Sequence, residues 1–276
     1  MPDKIHRSAF FISDGTAITA ETLGLSLLAH FPEVSFSEIR MPFVDTVEKA
    51  RECLTRIAKA EREDGTRPIL LLTLVNEEVR DVFRGQNALS LDLFDTFIAP
   101  LGEELGQTPM RSVGQARRVD ESAVYRHRME AVNFALEHDD GASERHLEEA
   151  DVILVGVSRS GKTPTTLYLA LQFGIKAANY PLIPEDFERG RLPAVLELYR
   201  SKLFGLTIRP DRLHEIRSER RPNSKYASLE SCRNEVAHAE NMMERSGIRW
   251  LDSTSKSVEE IAAKVVQACT LVGRGG

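Results

Sequence analysis

Eight consecutive residues carry the clearest chemical signal in this chain. From Gly156 to Thr163 the sequence has the spacing of a P-loop, G-x-x-x-x-G-K-[ST]. In such a loop the backbone N–H groups turn around a phosphate, and the helix N-terminus behind them adds about half a positive charge. The candidate nucleotide-binding residues are therefore Gly156, Val157, Ser158, Arg159, Ser160, Gly161, Lys162 and Thr163.

Two side chains of the loop have expected roles. Lys162 places a charge on the outer phosphate, and Thr163 offers a hydroxyl to Mg²⁺. The flanking sequence fits, because the apolar run 150–155 predicts a buried parallel strand. A helix is predicted to begin near Pro164 and to end at Gly174. This context disfavours the alternative, a glycine-punctuated strand–helix turn that matches the motif by accident.

Two adjacent carboxylates precede the P-loop strand, in the run His138-Asp139-Asp140-Gly141. Carboxylates beside a P-loop can orient or deprotonate a hydroxyl, or hold Mg²⁺. We therefore take Asp140, Asp139 and Lys162 as the candidate catalytic residues. The plain alternative is that Gly141 caps a preceding helix and that both aspartates are solvated. The sequence alone leaves these two interpretations open.

Five arginines follow a strand predicted at 203–208. Arginines in this position neutralise charge on a transferred phosphoryl group in many phosphotransferases, although a solvated helix face explains some of them. No apolar run ending in Asp follows the P-loop, so the Walker B carboxylate of ordinary ATPases is not recognisable. The five residues are Arg209, Arg212, Arg217, Arg220 and Arg221.

The composition is that of a globular protein, with 42% hydrophobic and 28% charged residues. A net charge of −6 argues against non-specific nucleic-acid binding. The three cysteines are too widely spaced for a disulfide framework or a metal site, which indicates a reducing compartment. We see no signal peptide and no membrane span, and we expect a cytoplasmic protein.

Strand-like and helix-like runs alternate along the chain, which predicts an α/β fold with parallel sheets. We expect an N-terminal doubly wound parallel-sheet domain over 1–106, a linker over 107–121, and a P-loop kinase-like α/β domain over 122–276. The linker carries three arginines that could contact an anionic substrate, although a solvated linker is the simpler interpretation. They are Arg111, Arg117 and Arg118.

Three local predictions concern single elements. Asp14 or Thr16, after the first strand, either caps the first helix or lines a ligand site, and a cap is the simpler interpretation. Segment 89–94 alternates like a strand but could begin a helix. A helix over 125–138 is expected to bury an apolar stripe at helical spacing. That stripe consists of Tyr125, Met129, Val132 and Leu136.

Five runs of the sequence match one known family. They are Phe11–Thr16, His138–Gly141, Ala150–Thr165, Ala178–Glu185 and the tail formed by Leu251–Thr254 and Ser257–Ile261. Through these runs nearly the whole chain resembles the bacterial phosphoenolpyruvate synthase regulatory proteins, which are related to the pyruvate, phosphate dikinase regulatory proteins. The sequence Gly-Val-Ser-Arg before Gly-Lys-Thr-Pro is far more specific than a bare P-loop, and His-Asp-Asp-Gly is similar to the synthase-regulating branch.

The resemblance implies a pair of activities on one threonine of phosphoenolpyruvate synthase. One is a protein kinase that uses ADP as the donor, and the other is a phosphorylase that uses inorganic phosphate and forms pyrophosphate. It implies ADP, Mg²⁺ and phosphate as ligands and phosphoenolpyruvate synthase as partner, with no nucleic acid or membrane. A homodimer is compatible with it. Two other classes stay open: a small-molecule kinase of the adenylate or shikimate type, and a nucleotide sensor without catalysis.

Overall fold

A computed structural model describes residues 5–109, 121–143, 145–222 and 224–271 of the chain. The chain divides into two compact units, an N-terminal unit of residues 1–119 and a C-terminal unit of residues 120–276. Most of the predicted linker, 107–121, lies outside the described residues, and so do Arg111, Arg117 and Arg118. The linker and the domain limits drawn from it therefore stay predictions.

The N-terminal unit is built on a four-stranded parallel sheet with the order β2-β1-β3-β4. Its strands are β1 (Ile5–Ser13), β2 (Val34–Met41), β3 (Ile69–Thr73) and β4 (Leu89–Asp92). Its helices are α1 (Ile18–Leu28), α2 (Val47–Asp64), α3 (Glu77–Asp81) and α4 (Leu93–Leu105). The central strand β3 is buried on both faces, as its unbroken apolar sequence predicts.

The C-terminal unit repeats this arrangement with the order β6-β5-β7-β8. Its strands are β5 (Val152–Gly156), β6 (Ala177–Pro181), β7 (Leu203–Thr207) and β8 (Trp250–Asp252). Its longer helices are α5 (Glu121–Glu137), α6 (Lys162–Phe173), α9 (Pro210–Arg220), α10 (Leu229–Arg245) and α11 (Val258–Ala268), and its short ones are α7 (Pro184–Arg189) and α8 (Ala194–Glu197).

Both sheets are doubly wound, which confirms the predicted fold class. In each sheet, the second strand pairs with one edge of the first strand, and the third strand pairs with the other edge of the first. The direction of winding therefore reverses between β1 and β3 and between β5 and β7. Ligands of open α/β sheets bind at this point, outside the carboxyl ends of the strands. The P-loop leaves the end of β5 there. None of the helices within the described ranges is long and apolar enough to cross a membrane.

The predicted core stripe of α5 is wrong for three of its four residues. Tyr125 is 64% exposed, Met129 37% and Leu136 58%, whereas Val132 is partly buried and packs against the buried alanines of α5 and α6. The helix instead buries Ala131 and Ala135, which pack with Ala170 of α6. Small side chains allow the two helices to approach closely, and the same helix also buries Phe134, which is 6% exposed, in the core of the C-terminal unit.

The predicted cap of α1 is also wrong. The N-cap residue is Ala17, which has a positive φ of 63°, and no side chain caps the helix. Asp14 instead accepts a hydrogen bond from the Val75 backbone N–H at 2.8 Å, which ties the loop after β1 to the loop after β3. Segment 89–94 contains both predicted alternatives, because β4 ends at Asp92 and α4 begins at Leu93.

Candidate phosphate-binding site

The P-loop begins where β5 ends, at a position that requires glycine. Gly156 has a φ of +145°, and a Cβ atom there would lie 2.1 Å from the carbonyl oxygen of Leu206 in the neighbouring strand. At the other end of the loop, Gly161 has a φ of +90° and forms the N-cap of α6 without a side-chain cap. The first N–H groups of α6 are therefore left for another acceptor, such as an anion. Arg159, between the two glycines, is also in the left-handed region, with a φ of 77°.

Lys162 is folded back against its own loop. It is 4% exposed, and its Nζ donates to the carbonyl oxygens of Val157 at 2.7 Å and Gly156 at 3.0 Å. Burial lowers the pKa of the Lys162 amine to about 7, while the charges of Asp140 and Asp139 act to raise it. The charge on this amine is therefore sensitive to what lies in the loop.

The carboxylate of Asp139 lies beside the last residue of the P-loop. Thr163 Oγ1 donates to Asp139 Oδ1 at 2.9 Å, and Asn179 Nδ2 donates to the same oxygen at 2.6 Å. Asn179 Nδ2 also lies 3.0 Å from Thr163 Oγ1 and 3.2 Å from Asp140 Oδ1. The fold thus brings Asp139, Asp140 and Thr163 together around the buried Asn179 amide, and the charges of both aspartates act on the Lys162 amine.

The side chain of Asn179 has one unused hydrogen-bond acceptor within the described residues. The residue is 1% exposed, and its Oδ1 is buried without a hydrogen-bond partner among the described residues. Buried polar atoms are rarely left unpaired, because each costs about 1–3 kcal/mol. This oxygen therefore suits a donor brought by a ligand.

The turn that carries both aspartates is fixed by its neighbours. α5 ends at Glu137, and Asp139–Gly141 form a 3-10 turn in which Asp140 has a φ of 49°. The buried ring of His138 lies between two carbonyl oxygens, with Nδ1 2.8 Å from Phe134 O and Nε2 2.6 Å from Arg145 O. The interpretation of this run as a plain helix cap with solvated aspartates is therefore wrong for Asp139, although Asp140 is exposed.

Thr163 and Asp139 fit a magnesium ion. Mg²⁺ prefers oxygen ligands and takes one or two from protein carboxylates together with substrate phosphates. In P-loop enzymes it is held by the P-loop Ser or Thr and a nearby carboxylate. The 2.9 Å contact places these two groups side by side. If Mg²⁺ binds here, Asp139 would supply from before the P-loop strand the carboxylate that ordinary ATPases supply from after it.

The hypothesis that the arginines after β7 neutralise a transferred phosphoryl group is wrong for Arg217. Its side chain is 0% exposed and forms a two-pronged ion pair with Glu235, at 3.1 and 2.8 Å. Nη2 also donates to the carbonyl oxygen of Ser158 at 3.2 Å, and the guanidinium lies 4.0 Å from the centre of the Tyr226 ring. The Tyr226 hydroxyl donates to Ser158 Oγ at 3.2 Å. Arg217 and Tyr226 thus hold the P-loop through hydrogen bonds to Ser158, on the side that faces the protein interior.

The other four arginines after β7 are exposed. Arg209 pairs with Asp211 and Arg212 with Glu215. The phosphoryl-neutralising role of these exposed residues stays a hypothesis.

A family model for kinase/pyrophosphorylases matches residues 9–266. The chain belongs to the kinase/pyrophosphorylase family. One relative, from Azoarcus sp. strain BH72, is 59% identical over 266 residues, 96% of both chains. Another, from Aromatoleum aromaticum, is 58% identical over 272 residues, 98% of both chains. Both carry the provisional name phosphoenolpyruvate synthase regulatory protein.

Two contributions to the candidate site were not predicted from the sequence, those of Asn179 and Arg217. Asn179 is a polar residue inside a buried strand, and that contrast is the sequence signal that could have identified it. Arg217 lies four residues after the buried Leu213 in α9, so helical spacing places both on the same inward face. Neither signal names the group that the side chain contacts.

The first prediction tests the structural role of Arg217. Arg217→Ala leaves Glu235 without its buried partner, and we expect the free energy of unfolding to fall by about 3–5 kcal/mol. Arg212→Ala is the matched control, because its pair with Glu215 is exposed and is worth less than about 1 kcal/mol. Urea unfolding followed by the fluorescence of Trp250, the single tryptophan, reports on this unit. Equal losses of unfolding free energy in Arg217→Ala and Arg212→Ala would contradict this structural role.

The second prediction follows from the lowered pKa of Lys162. An anion in the loop stabilises the ammonium form, so binding raises this pKa above about 7. Sulfate, which does not itself titrate near neutral pH, should therefore bind with uptake of close to one proton at pH 8 and with little uptake near pH 6. Its affinity should fall as the pH rises above 7. Calorimetry in buffers of different ionisation enthalpy measures the uptake.

The control for this prediction is Lys162→Arg, whose guanidinium stays charged throughout the range. Sulfate binding to this variant should lack the proton uptake. Uptake that is equal in the two proteins, or absent from the natural one at pH 8, would show that the Lys162 amine is not the titrating group.

Proposed function

We propose that this chain is an ADP-dependent protein kinase and a phosphate-dependent, pyrophosphate-forming phosphorylase that acts on one threonine of phosphoenolpyruvate synthase. The observation that carries the proposal is the 2.9 Å contact between Thr163 Oγ1 and Asp139 Oδ1, which joins a carboxylate pair to a P-loop. Family membership supports the two kinds of chemistry, and the name of the relatives supports the partner. A cytoplasmic location follows from that partner, and a homodimer stays a prediction.

Both reactions move one phosphoryl group at the same place. In the kinase direction the threonine oxygen attacks the β-phosphorus of ADP, the bond to the bridging oxygen breaks, and AMP leaves. The threonine proton passes to a carboxylate. In the other direction a phosphate oxygen attacks the phosphorus of phosphothreonine, the bond to the threonine oxygen breaks, and pyrophosphate forms. The threonine oxygen then takes up a proton.

The P-loop supplies the electrostatic part of this chemistry. Its backbone N–H groups and Lys162 hold either the β-phosphate of ADP or the attacking phosphate. Bound Mg²⁺, held by Thr163 and Asp139, would offset the negative charge of the phosphates. The same loop serves both directions because each places a phosphate in it.

The two aspartates are suited to different tasks. Asp139 is half-buried and accepts hydrogen bonds from Thr163 and Asn179. Asp140 is exposed and accepts only the longer contact from Asn179, at 3.2 Å, among the described residues. Asp140 is therefore the better acceptor for the threonine proton, and Asp139 the better partner for Thr163.

The two other classes explain less of the chain. A small-molecule kinase needs one P-loop unit, whereas the family model extends from residue 9 through a second complete α/β unit. A nucleotide sensor does not need two carboxylates beside the loop. These arguments favour a protein substrate and catalysis.

The third prediction tests the function directly. Incubation of the full chain with phosphoenolpyruvate synthase and ADP labelled in its β-phosphate should transfer the label to a threonine, and inorganic phosphate should release it as pyrophosphate. Lys162→Ala should lower both rates by about a hundredfold or more. Lys264→Ala, an exposed lysine of α11, is the control. Label that stays in ADP or appears only as inorganic phosphate, or turnover of free metabolites instead, would overturn the proposal.

The fourth prediction separates the aspartates by their response to Mg²⁺. Asp140 takes the threonine proton in phosphorylation and returns a proton in phosphorolysis, so Asp140→Asn should depress both rates by roughly a hundred- to ten-thousandfold, and excess Mg²⁺ should not restore them. Asp139→Asn should also lower both rates, but excess Mg²⁺ should partly restore them. Restoration of the Asp140→Asn variant by Mg²⁺, or an unimpaired Asp140→Asn variant, would contradict the assignment.

A further inference from the structure

A second concave surface lies near the P-loop in the C-terminal unit. It is a groove of about 340 Å³ between α10 and the ends of β7 and β8. Its wall includes Thr207 and Asp252, the last residues of the two strands, and Trp250, Arg209 and Arg233. Small-molecule sites begin at about this size.

A short loop joins the groove to the P-loop. Ser253 follows β8, and its backbone N–H donates to the carbonyl oxygen of Thr207 at 2.9 Å. Its hydroxyl oxygen lies 2.9 Å from the carbonyl oxygen of Ser160 in the P-loop. The next residue, Thr254, accepts from the backbone N–H of Arg209 at 2.8 Å through its hydroxyl oxygen. Ser253 thus lies between the P-loop and the groove, hydrogen-bonded to Ser160 on one side and to Thr207 on the other.

The charged residues that line the groove do not favour a polyanionic ligand there, in addition to the phosphates expected in the P-loop. Arg209 and Arg233 are balanced by Asp252 and Glu240. Both carboxylates already accept hydrogen bonds, Glu240 from the Thr207 hydroxyl at 2.6 Å and Asp252 from the Thr254 backbone N–H at 2.8 Å. A balanced lining with polar edges suits an uncharged heteroaromatic group.

The groove also presents an aromatic face. Trp250 is the single tryptophan of the chain and is 43% exposed. Its indole ring offers a large, rigid surface on which a nucleobase can stack. Ligands of doubly wound sheets bind outside the carboxyl ends of the strands, where Thr207 and Asp252 lie.

We propose that this groove is the nucleoside subsite of the P-loop, with the base against Trp250 and the ribose beside Asp252. The inference rests on the proposed use of ADP and adds where the nucleoside binds. It has a consequence for the two reactions. Phosphorylation uses a donor that carries a base, whereas phosphate and pyrophosphate carry none. The groove should therefore serve the kinase direction alone.

The test uses the fluorescence of Trp250 in the full chain. Saturating ADP should change the emission of this single tryptophan, and pyrophosphate should bind without an equal change. Calorimetry run beside the fluorescence establishes that each ligand is bound. ADP that binds by calorimetry while the Trp250 emission stays unchanged would overturn the subsite and leave the proposed function standing. Failure of ADP to bind at all would overturn the proposed function and the subsite together.

Three variants extend the test to affinity. Trp250→Ala should weaken ADP binding by about tenfold or more, and Trp250→Phe, which keeps an aromatic face, should weaken it much less. Ala237→Leu adds bulk to the groove from an exposed position of α10 and should also weaken ADP binding. Pyrophosphate affinity should change less than twofold in all three. Equal losses of affinity for ADP and pyrophosphate, or no loss of affinity for ADP, would overturn the assignment.

Discussion

The contact between Asp139 and Thr163 is the interaction on which the candidate site depends. A carboxylate that comes before the P-loop strand meets the first turn of the helix that comes after it. Hydrogen bonds to a charged group contribute about 1.5–3 kcal/mol each, and Asp139 Oδ1 receives one from Thr163 and one from Asn179. The turn before β5, the P-loop and β6 are thereby fixed relative to one another.

This arrangement places the carboxylates of Asp139 and Asp140 next to the candidate phosphate-binding loop. The buried amine of Lys162 offsets them, and their attraction in turn opposes the loss of its charge on burial. The loop is also held by Arg217 on the Ser158 carbonyl oxygen, by Tyr226 on the Ser158 hydroxyl and by Ser253 on the Ser160 carbonyl oxygen. Lys162 donates to the loop carbonyl oxygens of Gly156 and Val157, so this residue contributes to both the charge balance and the loop geometry.

The parts of this site that could be predicted from sequence are those with a local cause. The P-loop follows from its spacing and from the strand and helix beside it, and the parallel sheets follow from the alternation of elements. Asn179 and Arg217 depend on which distant groups the fold brings to them, and no local pattern contains that information. The stripe on α5 has helical spacing, but spacing alone does not show which of two apolar faces is inward. The inward face carries Ala131, Phe134 and Ala135, and of the stripe Val132 alone packs there.

The two units show how far topology alone determines a site. Both sheets have the same strand order, and in both a loop and a helix follow the first strand at the point where the winding reverses. In the N-terminal unit that loop is tightened by internal contacts: Ser13 Oγ accepts from the Gly15 backbone N–H at 3.1 Å, and Asp14 accepts from Val75. The shared topology gives both loops the same position after the first strand of their sheet, but of the two only residues 156–163 have the P-loop sequence.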